Sequence, residues 1–128
     1  VGSLPRVRAA AGASPYGLQA EAARVGSDLV VAIWGGEAPH VGAAAAAAPR
    51  PSLDDPARTS STASVIAFPG HKEDLLAREA ALALAAALDT RVVVTAGMHW
   101  EEIDAAGIAA VQANLRELVR GLVRELAD

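Results

Sequence analysis

The chain is 128 residues long, 52% apolar, and carries a formal net charge of −4 at pH 7. With a pI near 5.3 and only 3% aromatic residues, it offers neither the basic face of a phosphate-backbone binder nor the stacking surface of a single-strand binder, which argues against nucleic acid. No run approaches the roughly 20 apolar residues of a membrane span, no secretory-type apolar stretch follows the basic start, and cysteine is absent, so a cytoplasmic domain without disulfides or thiol chemistry is expected.

One domain fits this length. Its apolar residues are mostly Ala, Val and Leu, and its aromatic residues are Tyr16, Trp34, Phe68 and Trp100. A core of small side chains points to closely packed helices and sheet. Residues 1–15, rich in Pro, Gly, Ala and Arg, read as a loose arm or an edge strand, and residues 16–128 as the domain proper. Tyr16–Val25 alternates weakly and predicts a half-buried strand. Gly26-Ser27-Asp28 signals a turn. Leu29–Trp34 is a continuous β-branched run that fits a central strand.

Gly35–Gly42 reads as a Gly/Pro turn. The six alanines of 43–48 favour helix by propensity, yet Gly42 and Pro49 bracket a run too short for an independent helix, so a strand is expected. Pro49, Pro51 and Pro56 predict a loop over Pro49–Ser60. Thr62–Phe68 predicts a strand, and His71–Leu88 a helix with apolar positions 76, 80, 83, 84, 87 and 88 at helical spacing. Leu75 and Leu82 add a second apolar flank, which predicts deep burial. Arg91–Ala96 is a further strand. Ile103–Leu126 is the second helix, apolar at 108, 111, 115, 118, 119, 122 and 126, with Arg116, Arg120 and Arg124 on its solvated stripe.

The expected fold is α+β: a single domain with a mixed, mostly antiparallel sheet of about five or six strands and two helices, in the order β-β-β-β-α-β-α. A short turn makes the second and third predicted strands antiparallel, and the fourth returns antiparallel to the third. The fifth follows a helical crossover and should run parallel to the fourth. The second, fourth and fifth strands then share a direction, and their C-terminal ends share one sheet edge. His40, His71 and His99 each stand just past one of those ends, where ligands of α/β sheets tend to bind.

Read functionally, the three histidines are metal ligands or donors to an anion; otherwise they are unrelated turn residues, since no HxH or HxxxH spacing links them. Gly70-His71-Lys72-Glu73-Asp74 opens a helix, whose free N–H groups and dipole suit phosphate, although Glu73 and Asp74 already complement that dipole. The hydroxyls of Thr59–Ser64 could hold phosphate or ribityl oxygens, or simply form a polar strand entry. Prolines around Arg50 pre-set a backbone that could aim the guanidinium at phosphate, or form a stiff surface loop. Trp34 and Trp100 could cover a flat ring or fill a core. Glu101 and Glu102 beside His99 suit acid–base work or a solvated turn.

Taken together, the segments 35–43, Pro49-Arg50-Pro51-Ser52, 61–66, 70–74 and Gly97-Met98-His99-Trp100 resemble the prenylated-flavin chaperone family. These are the LpdD-like small D subunits that accompany prenylated-FMN-dependent hydroxyarylic acid decarboxylases. The resemblance covers roughly Leu29–Leu122. It implies a non-catalytic accessory protein that binds prenylated FMN, or FMN, and stores, matures or delivers it to the decarboxylase. It also implies a fold like that of proteasome assembly chaperones, a homo-oligomer, and contact with the flavin prenyltransferase. His40, Arg50, Ser61, Thr62, Ser64, His71, Lys72 and His99 fall in the matching motifs. Arg50, Lys72 and the Ser/Thr cluster would hold phosphate, and the histidines the flavin edge or a phosphate-bridging cation. Two alternatives stand beside this. One is a small metal-dependent enzyme using His40, His71 and His99; the other is an assembly partner that binds the decarboxylase without flavin.

Overall fold

A computed structural model describes residues 5–69 and 73–127. Its elements are β1 (Arg6–Ala11), β2 (Leu18–Val25), β3 (Asp28–Gly36), β4 (Ala43–Pro51), β5 (Thr59–Ala67), α1 (Asp74–Leu88), β6 (Val92–His99) and α2 (Ala105–Leu126). The α+β expectation holds, with a sixth strand at the start: within the segment read as a loose arm or an edge strand, Arg6–Ala11 is an edge strand paired antiparallel to β2. Among the described residues no helix is long and apolar enough to cross a membrane.

The six strands lie in the order β1-β2-β3-β6-β4-β5. β2 and β3 form a hairpin whose two-residue turn begins at Gly26, with φ +62°. That is the positive-φ first position that a type II′ turn demands. β3 is parallel to β6, while β4 is antiparallel to both β6 and β5. The strand directions are therefore those expected, and β3, β5 and β6 do end at one edge. Their neighbours differ: β6 is inserted between β3 and β4, so those two strands never pair, and β6 runs parallel to β5 across the intervening β4.

The alanine run is a strand because it is paired on both sides, Ala43–Ala47 with β6 and the whole of β4 with β5. Tertiary pairing here overrides helix propensity. The strand runs on through Pro49 and Pro51, which were expected in a loop. Both lie past Ala47↔Val92, the last pair with β6, where a one-sided strand tolerates residues without an N–H. The loop proper shortens to 52–58.

Both helices cover the same face of the sheet. Its residues Leu29, Val31, Ile33, Ala43, Ala45, Val92, Val94 and Ala96 are buried against Ala77, Ala80, Ala81, Leu84 and Ala85 of α1 and Leu115, Leu118 and Leu122 of α2. Alanines on α1 and β4 bring backbone close to backbone. Each fully buried leucine contributes roughly 1.5–3 kcal/mol, so packing rather than propensity holds α2. Leu75 departs from the expected burial, being 72% exposed, and Ile108 on α2 is also exposed. α1 begins at Asp74 with Glu73 as its N-cap residue; Gly70, His71 and Lys72, expected in its first turn, lie outside the described residues.

Candidate functional site

Because β6 lies between β3 and β4, the 37–42 connection must arch over its C-terminal end. The Glu37 N–H donates to the His99 carbonyl at 2.8 Å and the Gly42 N–H to the Ala96 carbonyl at 3.0 Å. The arch rests so closely on the strand that a Cβ on Gly97 would collide with the His40 carbonyl, and one on Gly36 with the His99 carbonyl. This close approach brings His40 to the start of α1. Its Nε2 lies 2.8 Å from Glu73 Oε1 and its Nδ1 lies 2.8 Å from the Ala38 carbonyl. A carbonyl only accepts, so Nδ1 is the donor in its contact with Ala38. Glu73 is 6% exposed, faces the Met98 N–H at 3.4 Å, and lies against Gly42, where a Cβ would strike it.

His99 lies on the same edge but faces another carboxylate, with Nε2 3.1 Å from Glu101 Oε1. The edge that sequence assigned to three histidines thus holds two separate histidine–carboxylate contacts, and His71 lies outside the described residues. Among the described residues, no group of three or more His, Asp or Glu side chains is arranged to hold a metal ion. Trp100 is a core residue: its Nε1 donates to the Pro15 carbonyl at 2.6 Å and its ring meets Tyr16 edge-on at 5.6 Å.

The edge is also acidic. Glu37, Glu73, Asp74, Glu101, Glu102 and Asp104 gather there, and segments 36–42, 67–77 and 96–112 carry no arginine or lysine among the described residues. The helix N-termini that could have bound phosphate are served by their own carboxylates: Asp104 accepts the Gly107 N–H at 2.7 Å, and Asp74 sits in the first turn of α1.

The remaining expected residues lie elsewhere. Arg50 is seven residues along β4 from Ala43, about 20 Å or more away at ~3.3 Å per residue. It lies on the uncovered face of the sheet with Thr62 and Ser64, while Ser61 alternates to the helix-covered face, where its hydroxyl donates to the Leu82 carbonyl at 2.7 Å. Arg50 Nε donates to Thr62 Oγ1 at 2.7 Å and Nη1 to the Pro51 carbonyl at 3.1 Å, and the guanidinium forms no ion pair among the described residues. Thr62 and Ser64 border a shallow hollow of about 640 Å³ on the uncovered face. Its floor is apolar and flat, built from Val30, Val93, Ala46 and Ala48, and Arg91, held by Asp28 at 2.9 Å, stands at its rim. Sequence reasoning missed Arg91, which only the parallel β3–β6 pairing brings beside Asp28. It also read Glu73 solely as helix-start chemistry, since nothing local links it to His40.

Comparison with known proteins fits this architecture. A crystal structure of a chaperone complex for yeast 20S proteasome assembly contains a chain that is similar in fold, with a TM-score of 0.62 and 14% identity, covering 97% of this chain and 98% of that one. No curated protein matches. Residues 12–127 match the prenylated flavin chaperone LpdD-like domain. With nearly its whole length inside that match, the chain belongs to the prenylated flavin chaperone LpdD-like family.

Proposed function

We propose that this protein is a carrier that binds prenylated FMN, or FMN, and delivers it to a prenylated-FMN-dependent decarboxylase, without catalysing a reaction of its own. The observation that carries this reading is the hollow on the uncovered sheet face, whose apolar floor is bordered by Thr62 and Ser64, with Arg50 just outside the lining and hydrogen-bonded to Thr62. A flavin combines a flat ring with a phosphate-bearing chain. Small side chains at Ala46, Ala48, Val30 and Val93 leave room for a ring to lie on the sheet, and the volume falls in the range usual for small-molecule sites. The Arg50 guanidinium supplies charge-assisted hydrogen bonds to a phosphate, with the Thr62 hydroxyl beside it and that of Ser64 further along β5 on the same face. His40 and His99 receive no phosphate contact in this reading, because a dianion at their edge would face Glu73 and Glu101.

The same face supports the homo-oligomer. Central strands facing water normally alternate to polar residues, yet β3, β4 and β6 turn Val30, Ala32, Trp34, Ala44, Ala46, Ala48 and Val93 outward. A second copy packed there would cover the hollow and exclude water from the flavin.

Titration of the purified chain with FMN and prenylated FMN, followed by visible absorption and flavin fluorescence, tests the proposal. Uptake should fall at least about tenfold in Arg50→Glu, the loss of one charged hydrogen-bonding partner, and should be unchanged in Arg120→Ala on α2. No uptake by the wild-type chain would sink the carrier reading, and co-elution with the decarboxylase in the absence of flavin would favour the assembly partner. Loss of uptake in His40→Ala but not in Arg50→Glu would move the site to the histidine edge. Stoichiometric transition metal in untagged protein would favour the metal-dependent enzyme.

A further inference from the structure

A second cavity, of about 420 Å³, lies between the first turns of α1 and α2 and the end of β6. It is remote from the hollow, on the opposite face of the sheet. Its walls are mostly apolar, formed by Leu75, Leu76, Met98, Ile103, Ile108 and Val111, with His99 and Gln112 as polar lining beside Glu73. Leu75 is 72% exposed and Ile108 49% exposed, which a helix designed only to cover a core does not require. Carboxylates flank this apolar strip along the chain: Glu73 lines its inner end, Asp74 adjoins Leu75, and Glu101, Glu102 and Asp104 are sequence neighbours of Ile103, with Glu101 in contact with the lining His99 at 3.1 Å.

We infer that this cleft is a docking groove for a basic amphipathic helix presented by a partner protein. Two neighbouring helices leave a groove into which the apolar ridge of a third can pack. The charge around it selects the sign of that helix. Lysines or arginines flanking its apolar stripe would meet Glu101, Glu102 and Asp74, whereas an acidic helix would meet like charge. The dipoles of α1 and α2, positive at this end, do not reverse the preference, because Asp74 and Asp104 already offset them. Cofactor and protein partner would thus be held at separate places, phosphate by arginine on the sheet and partner by carboxylates between the helices.

The test uses the full chain carrying Trp34→Phe, so that Trp100, which borders the cleft, is its only tryptophan. The probe is a fluorescein-labelled synthetic helix of leucine and lysine with leucines at i, i+3, i+4 and i+7; a leucine–glutamate helix of the same pattern is the control. The leucine–lysine helix should bind, shift Trp100 emission, and weaken as ionic strength rises. The leucine–glutamate helix should not bind. Leu75→Ser with Ile108→Ser should weaken binding at least about tenfold, as loss of central apolar anchors does, with the thermal midpoint of the protein little changed because both positions are exposed. Equal binding of both helices, or binding that survives the serine variants, would overturn the proposal: the first outcome means unselective apolar contact, the second mere charge attraction. Sedimentation showing that Ile108→Ser dissociates a wild-type oligomer would also overturn it, by assigning the cleft to a second copy.

Discussion

Replacing His40 by alanine removes the ring that stands between the Ala38 carbonyl and Glu73 Oε1, 2.8 Å from each. In the intact chain Glu73 is 6% exposed, and its contact with the Met98 N–H is long, at 3.4 Å. Removing one partner of a buried polar contact costs about 1–3 kcal/mol. The His40 side chain is 24% exposed, so water enters the gap and holds the cost to about 1–2 kcal/mol. For a domain of this size that lowers the thermal midpoint by roughly 5–10 °C. Glu73→Gln keeps the shape and leaves an amide that can donate to Nε2, so it should cost less, about 0.5–1.5 kcal/mol. Urea denaturation of the two single variants and the double variant, followed by tryptophan fluorescence, gives the coupling, expected near 1 kcal/mol. Single-variant costs that simply add, within about 0.5 kcal/mol, would refute the reasoning and make the pair a coincidence of packing.

Gly97→Ala places a Cβ against the His40 carbonyl and should destabilise by about 1–3 kcal/mol, as overpacking does. Hydrogen exchange should quicken at the Glu37 and Gly42 amides, which tie the arch to β6. Ser61→Ala removes the hydroxyl that anchors β5 to the Leu82 carbonyl and should cost about 1 kcal/mol without altering flavin uptake. Thr62→Ala should do the reverse, and equal effects of the two on uptake would contradict the assignment by face. The Arg120 guanidinium, by hydrogen bond and charge, and Arg124 more weakly, hold the Glu117 carboxyl below the usual carboxylate range. Its folded pKa lies below its unfolded one, so the stability it adds is present above the unfolded value and lost as pH falls through the folded one. Thermal melts of wild type and Glu117→Gln should therefore differ slightly near neutrality and converge in acid.

The elements were legible because burial leaves a periodic trace. Leu29–Trp34 and Arg91–Ala96 read as strands from β-branched runs, and α2 from apolar residues recurring every three or four positions. The proline-rich end of β4 was not legible, since prolines mark a loop unless one side of the strand lacks a neighbour, and only the arrival of β6 settles how far that side is paired. Ile108 fits the helical period and Leu75 reads as a second apolar flank, yet both are exposed and line a cleft. Their spacing is that of core residues while their surroundings are those of a cleft.

For the site, residue types and strand directions sufficed to gather His40 and His99 at one edge. Periodicity in a strand is two, so the side to which each of Ser61, Thr62 and Ser64 turns was fixed relative to its neighbours as soon as β5 was recognised. Which side the helices cover, and therefore that Thr62 and Ser64 join Arg50 in the open while Ser61 is tied to α1, depended on packing. The insertion of β6 between β3 and β4 had no trace in local sequence, because strand order is set by which surfaces bury best together. That insertion alone bends 37–42 over the sheet and presses His40 onto Glu73. Sequence by itself determined the elements, their directions and the chemistry available; tertiary structure decided which of those groups meet, because contact depends on strand order and the covered face, and neither is a local property of the chain.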